Sequence, residues 1–190
     1  MNTAGFLSAR LLVALCAACV LPCAAQNPPA TASRLPELKY FLGEWECSGK
    51  FARSGAAIEA HLQFESILGE GFILFRHDDK PPHNYHARSE WGWDQAGKQF
   101  VSTIQDSTGG TRTFHSAGWE KDRLVWEGGS PASDAPNGLP QKFPGNDQQF
   151  VFERIPPKQF RVSYAVHKEG AWVSVDASTC TRVEKQGEKP

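Results

Sequence analysis

The chain has 190 residues, and its 20 lysines and arginines against 21 aspartates and glutamates leave a formal net charge of −1. The two signs are interspersed, so no basic face is offered to nucleic acid or to an anionic membrane surface. Past the N-terminus no run approaches the roughly 18 apolar residues that a membrane-spanning helix needs, and the remainder is long enough for one domain with a substantial core.

At the start of the chain, Arg10 precedes the apolar run LLVALCAACVLP and the small residues of CAAQ. A positive n-region, a short h-region and a small-residue cleavage site make residues 1–25 a secretory signal peptide, cut after Ala25. Lipidation at Cys19 or Cys23 is the alternative, but CAAC has cysteine where a lipobox has an aliphatic residue, and VLPC sets proline beside the cysteine. The expectation is a periplasmic or secreted protein. Three of the five cysteines fall in this leader, and an oxidising compartment favours a disulfide between the remaining two, Cys47 and Cys180. One lies in the first strand that can be drawn and the other in the last. A bridge requires those strands to be neighbours, which in a meander happens only when the sheet closes.

Residues 26–34 are polar and proline-bearing, a lead-in expected to be disordered. In LPELKYFLG, Leu35, Leu38 and Leu42 are spaced for a short helix, with Ser33 as cap and Gly43 as stop. From there the period is two. Ile58, Ala60, Leu62 and Phe64 alternate with Glu59, His61, Gln63 and Glu65, the pattern of a half-buried strand. GFILFRH follows the LGEG break, and NYHARSEWGWD puts Tyr85, Ala87, Ser89, Trp91 and Trp93 on one face. After the DQAGK turn, KQFVSTIQD carries Phe100, Ser102 and Ile104 on one side. The clusters STGG, EKD, IPPK and HKEG then separate TRTFHSAGW, RLVWEG, QQFVFERI, QFRVSYAVH and AWVSVDASTCTRV. With WECSGKF as the first, these make about ten strands, the number and spacing of a barrel or sandwich. Residues 129–146, GSPASDAPNGLPQKFPGN, are too long for a hairpin turn and read as a lid or a loose insertion. Residues 185–190 are expected to be a disordered tail.

The order FLGEWECSGKF, ESILGEGF, WGWDQAGKQFVSTIQDSTGG and GWEKDRLVWEG resembles the bacterial family known as domain of unknown function 1579, related to calycin-like barrels such as the nitrobindins and fatty-acid-binding proteins. The resemblance runs from about Leu35 to Val183. It implies an all-β fold over residues 35–184: an up-and-down antiparallel barrel of about ten strands, with a short N-terminal helix across one end. Closure is also the physical answer to exposed sheet edges, and a barrel of this size is filled by side chains or holds one small ligand. Trp45, in Gly-Glu-Trp, is expected to plug the base.

Tyr85, Trp91 and Trp93 are expected to line the interior, with Phe114, Trp126 and Tyr164 from later strands. Alternation sets Arg76 with Phe72 and Leu74, Arg112 with Phe114, Arg154 with Phe150 and Phe152, and Asp176 with Trp172. A buried guanidinium needs a partner. A ligand carboxylate serves, and so does an internal ion pair with Asp106 or Asp176; Arg76 and Arg112 are the better anion anchors.

Nitrobindin-like barrels hold haem through a histidine of the last strand, a strand that here contains none. His167 lies one strand earlier and faces outward by alternation, so no axial donor is evident and no cofactor is expected. His77, Asp78, Asp79, His83 and His86 in HDDKPPHNYH are suitable ligand types for a metal ion, but their spacing matches no familiar site and a polar hairpin explains them. No Gly-x-Ser-x-Gly elbow occurs, and His115 beside Asp106 or Glu120 is the remaining base candidate, so no catalytic residue is assigned. The expected function is binding of a small hydrophobic molecule, with an anionic end where an arginine is free to hold it. A filled barrel acting through its surface, or a hydrolase or isomerase, are the alternatives.

Overall fold

Residues 33–129 and 147–184 are described by a computed structural model, in which a meander of antiparallel strands returns on itself. The strands are β1 (Gly43–Phe51), β2 (Ala57–Ile67), β3 (Phe72–Asp79), β4 (His86–Asp94), β5 (Gln99–Asp106), β6 (Thr111–Ser116), β7 (Trp119–Glu120), β8 (Arg123–Gly129), β9 (Gln148–Ile155), β10 (Gln159–Lys168) and β11 (Ala171–Arg182). Sequential neighbours pair from β1 to β6 and from β8 to β11, while β1 pairs with β11 and β6 with β8. Ten strands thus form a closed antiparallel barrel, and the two-residue β7 is a spur on β8. The expected strand TRTFHSAGW is broken at Gly118, whose φ of +104° interrupts the extended backbone. The leader, the lead-in up to residue 32, most of the 129–146 loop and the 185–190 tail lie outside the described residues.

The first and last long strands meet in a seven-residue register that sets Cys47 opposite Cys180, and the two form a disulfide with Cα atoms 4.0 Å apart. Two strands directly opposed across a ladder are where a bridge can form without moving the backbone. No helix in the described residues is long and apolar enough to cross a membrane.

One end of the barrel is stoppered by the segment before β1. Leu35–Phe41 is a 3-10 helix rather than an α-helix, and at three residues per turn its positions i, i+3 and i+6 eclipse. The inward residues are therefore Leu35, Leu38 and Phe41, all buried, and Leu42 leaves the stripe that α-spacing assigned to it. Phe41 touches the rings of Phe64, Trp91, Trp119, Phe152 and Phe160 at centroid distances of 5.3–5.5 Å. Ser33 accepts the Leu35 amide at 3.2 Å, and Gly43 leaves the helix at a φ of +118°. Trp45 is fully buried beside this plug, donating its indole N–H to the Phe41 carbonyl at 2.6 Å, with the Arg182 guanidinium 4.2 Å over its ring. Arg182 also donates to the carbonyls of Leu42 and Tyr40, tying the last strand to the helix that closes the base.

Candidate ligand-binding cavity

Beyond the plug the interior is hollow, with a cavity of about 400 Å³. That volume lies within the ~300–1,000 Å³ of ordinary small-molecule sites. Its wall is graded along the barrel axis, because on strand after strand an apolar inward residue is followed, away from the helix, by a polar one. On β3 the order is Phe75, His77, Asp79; on β5, Ile104 then Asp106; on β6, Phe114 then Arg112. Trp91, Trp126 and Phe152 line the apolar half, and Trp126 is only 2% exposed.

Arg112 organises the polar half. Its Nη2 donates to Asp106 Oδ2 and, at 3.2 Å, to the Tyr85 hydroxyl. Its Nη1 donates to Gln148 Oε1 at 3.1 Å, an oxygen that also accepts the Tyr164 hydroxyl at 2.9 Å. Burial alone would push the Asp106 carboxyl up. The Thr108 hydroxyl, the Arg112 charge and the amides of Thr108 and Gly110 outweigh it, holding the acid below the usual carboxylate range. Burial works against the Arg112 cation, yet Tyr85 and Asp106 keep it firmly charged. Both Tyr85 and Tyr164 are pushed up, first by burial, and stay neutral hydroxyls. On the other side His77 Nε2 and Asp79 Oδ1 are 2.7 Å apart. Asp176 has no ion-pair partner among the described residues; burial, helped by the Asp79 charge, lifts its carboxyl from the ordinary 3.8 to about 6, against the pull of His77 and of the Tyr164 backbone amide. The Nε of Arg112 and the indole Nε1 of Trp126 are buried without a hydrogen-bond partner among the described residues.

Of the residues expected from the sequence, Tyr85, Trp91, Arg112, Phe114, Trp126 and Tyr164 are brought together on the cavity wall. Trp93 is not among them. It shares the inward face of β4 but lies past the cavity at the plugged end, packed on Phe100 at 5.0 Å with the Arg34 guanidinium 5.2 Å from its ring. Arg76 is also misplaced by the sequence reading. It does share a face with Phe72 and Leu74, but that face is the outer one, where it donates to Glu65 at 2.7 Å and Gln63 at 3.2 Å. Arg154, inward at the plugged end, lies 4.1 Å over the Trp119 ring and pairs with Asp122. Asp176 and Trp172 part company at a β-bulge: Tyr164 faces Asp176 while Ala165 faces Ser174, so Val175 is the extra residue.

The histidine and aspartate cluster is divided by alternation. His77 and Asp79 turn into the cavity, whereas Asp78 and His86 bond to each other outside at 2.7 Å, and His83 sits 3.0 Å from the Ala57 carbonyl. Among the described residues no three His, Cys, Asp or Glu side chains converge on one point. His167 packs outside against Trp172, and His115 stands opposite Val101 and Glu127. Sequence reasoning passed over His77 and Asp79 as lining residues; the parity of Phe75 with His77 was the signal.

No family model and no curated protein matches the chain. Among solved structures the fold is similar to that of Rv2717c from M. tuberculosis, with a TM-score of 0.57 at 15% identity, over 83% of this chain and 99% of that one. A protein of unknown function from the DUF3598 family of Nostoc punctiforme aligns over 80% of this chain and all of its own at 10% identity, but its TM-score of 0.23 has no bearing on the fold. The first likeness is one of architecture. It leaves the site to be read from its own residues.

Proposed function

We propose that this is an exported barrel that binds one small, largely apolar molecule in its interior. The observation that supports the reading is the hollow itself: about 400 Å³ left unfilled between aromatic and aliphatic walls, with polar groups gathered at one end. An apolar lining with a few oriented polar groups is the ordinary composition of a ligand pocket, and an unfilled core of that size forfeits packing that side chains could supply. Export is supported by the leader-like N-terminus and the Cys47–Cys180 disulfide. Kinship with domain of unknown function 1579 rests on the order of the motifs and is part of the same proposal.

The anionic end expected of the ligand has lost its basis, because Arg76 is outside and Arg112 is committed to Asp106. A surface-acting solid barrel required a filled interior. A hydrolase reading finds the Ser102 hydroxyl bonded to Ser89 at 2.7 Å and His77 bonded to Asp79, with no serine–histidine hydrogen bond among the described residues of the cavity wall. Native mass spectrometry of protein purified from its source, together with quenching of Trp91 and Trp126 fluorescence by a panel of apolar metabolites, tests the proposal. Binding should be saturable and should weaken at least tenfold in an Ile104→Trp variant, which places an indole in the cavity. A panel that quenches both proteins alike would refute it.

A further inference from the structure

The charged groups on the cavity wall do not balance. Besides its tyrosines, five ionisable side chains line the cavity: the acids Asp79, Asp106 and Asp176 and the bases Arg112 and His77. Arg112 is taken by Asp106 and His77 by Asp79. Asp176 is left over, a carboxylate facing the cavity with no ion-pair partner among the described residues. Its hydrogen-bond help is the Tyr164 backbone amide, and a carboxylate largely withdrawn from water without a counter-charge is costly, so whatever shares the cavity with it gains by supplying a positive charge.

The register of β11 says what surrounds that carboxylate. Asp176 is directly opposite Tyr164 on β10 and directly opposite Phe51 on β1, and both aromatic side chains line the same cavity. A carboxylate between aromatic rings is the chemistry that recognises an ammonium group, because the ring faces attract a cation as the carboxylate does, the more so where water is excluded. We propose that the cavity takes a ligand with an apolar body and a protonated amine head, held by Asp176 between Phe51 and Tyr164. This rests on the proposed binding function and names the class of molecule bound.

The charged groups that bear on Asp176 are His77 and Asp79, both from β3; Tyr164 on β10 is a neutral hydroxyl and Phe51 on β1 carries no charge. The raised carboxyl pKa of about 6 means that the anion, and with it the preference for an amine, is present above pH 6 and fades below it.

Three probes of one shape test the inference by calorimetry on the mature protein at pH 7.5: 4-phenylbutylamine, 4-phenylbutanol and 4-phenylbutanoate. The amine should bind at least tenfold more tightly than the alcohol and the carboxylate more weakly than both. In Asp176→Asn the amine's advantage over the alcohol should disappear. Lowering the pH to 5 should likewise erase the amine's advantage in the native protein. If the alcohol and carboxylate bind without any preference for the amine, or the preference survives in Asp176→Asn, this inference is overturned and the binding function stands. If none of the three binds, both are overturned.

Discussion

Arg112 and Asp106 are bonded to each other inside the barrel, guanidinium to carboxylate, across the turn that joins β5 to β6. The pair is largely withdrawn from water, with side-chain exposures of 16% and 3%. Each member therefore depends on the other. Arg112→Met strands the carboxylate and removes a donor from Gln148 and from Tyr85, and should cost about 3 kcal/mol by analogy with other buried pairs broken from one side. The double variant Arg112→Met, Asp106→Asn should recover a good part of that loss in urea unfolding, since no charge is then left unpaired. Equal losses in the single and double variants would contradict the pairing.

Asp176 predicts a stability profile of unusual sign for a carboxylate. Its folded pKa is near 6 and the ordinary value is 3.8. Between those values the folded chain binds more protons than the unfolded one, so stability falls as pH rises from about 4 to about 6 and stays lowered above. Asp176→Asn should remove that slope and raise stability at pH 7, by an amount on the order of 1–2 kcal/mol after allowing for partial solvent screening. Thermal unfolding at pH 4.5 and 7.0 gives the comparison; a variant less stable than the native protein at pH 7 contradicts it.

Phe41 is the keystone of the plugged end, in contact with five rings from five different elements. Removing it opens a void among residues that cannot all collapse inward. Phe41→Ala should destabilise by about 3–5 kcal/mol, whereas Leu42→Ala, off the 3-10 stripe, should cost much less. Chemical denaturation of the two variants side by side separates a 3-10 plug from an α-helical one.

The disulfide closes a loop of 133 residues between Cys47 and Cys180. Constraining the unfolded chain over that length is worth about 4–5 kcal/mol in the entropy model, and 2–4 in typical measurements. Cys47→Ala, Cys180→Ala protein should melt well below the oxidised form, and native protein scanned with reductant should match it. Both cysteines are buried, so reduction should be slow until the barrel opens.

Alternation carried much of this architecture in plain sight. Ile58, Ala60, Leu62 and Phe64 against Glu59, His61, Gln63 and Glu65 leave no doubt which side of β2 is inside, and a bridge between Cys47 and Cys180 at the two ends of the meander required a ring. The failures occur where that pattern is degenerate. In GFILF both faces are apolar, Ile73 and Phe75 inside and Leu74 against the outer surface, so anchoring the parity on Phe72 and Leu74 turned Arg76 inward and hid His77 and Asp79. A bulge at Val175 reversed the parity beyond Asp176, which no periodicity foretells. The helix was read at α-spacing although a repeat of three was equally present, and only the ring of aromatics that receives Phe41 decides between them. The cavity site was half legible for a related reason: alternation identifies inward residues but not how far along the axis each lies, and so it grouped Trp93 with Trp91.

The hoop of strands has two joints outside the run of hairpins, and they are unequal. The β1–β11 joint has seven opposed residues and a covalent staple, whereas the β6–β8 joint has three opposed pairs among the described residues and no such staple there: Thr113 with Gly129, Phe114 with Gly128 and His115 with Glu127. Gly128 there lies so close to its neighbour that an added Cβ would sit 2.0 Å from the Thr113 carbonyl. Any side chain at that position wedges the shorter joint apart while the longer one holds. The described strands thus make a bracelet with one riveted joint and one clasp, and the clasp is where its amides should first exchange with solvent.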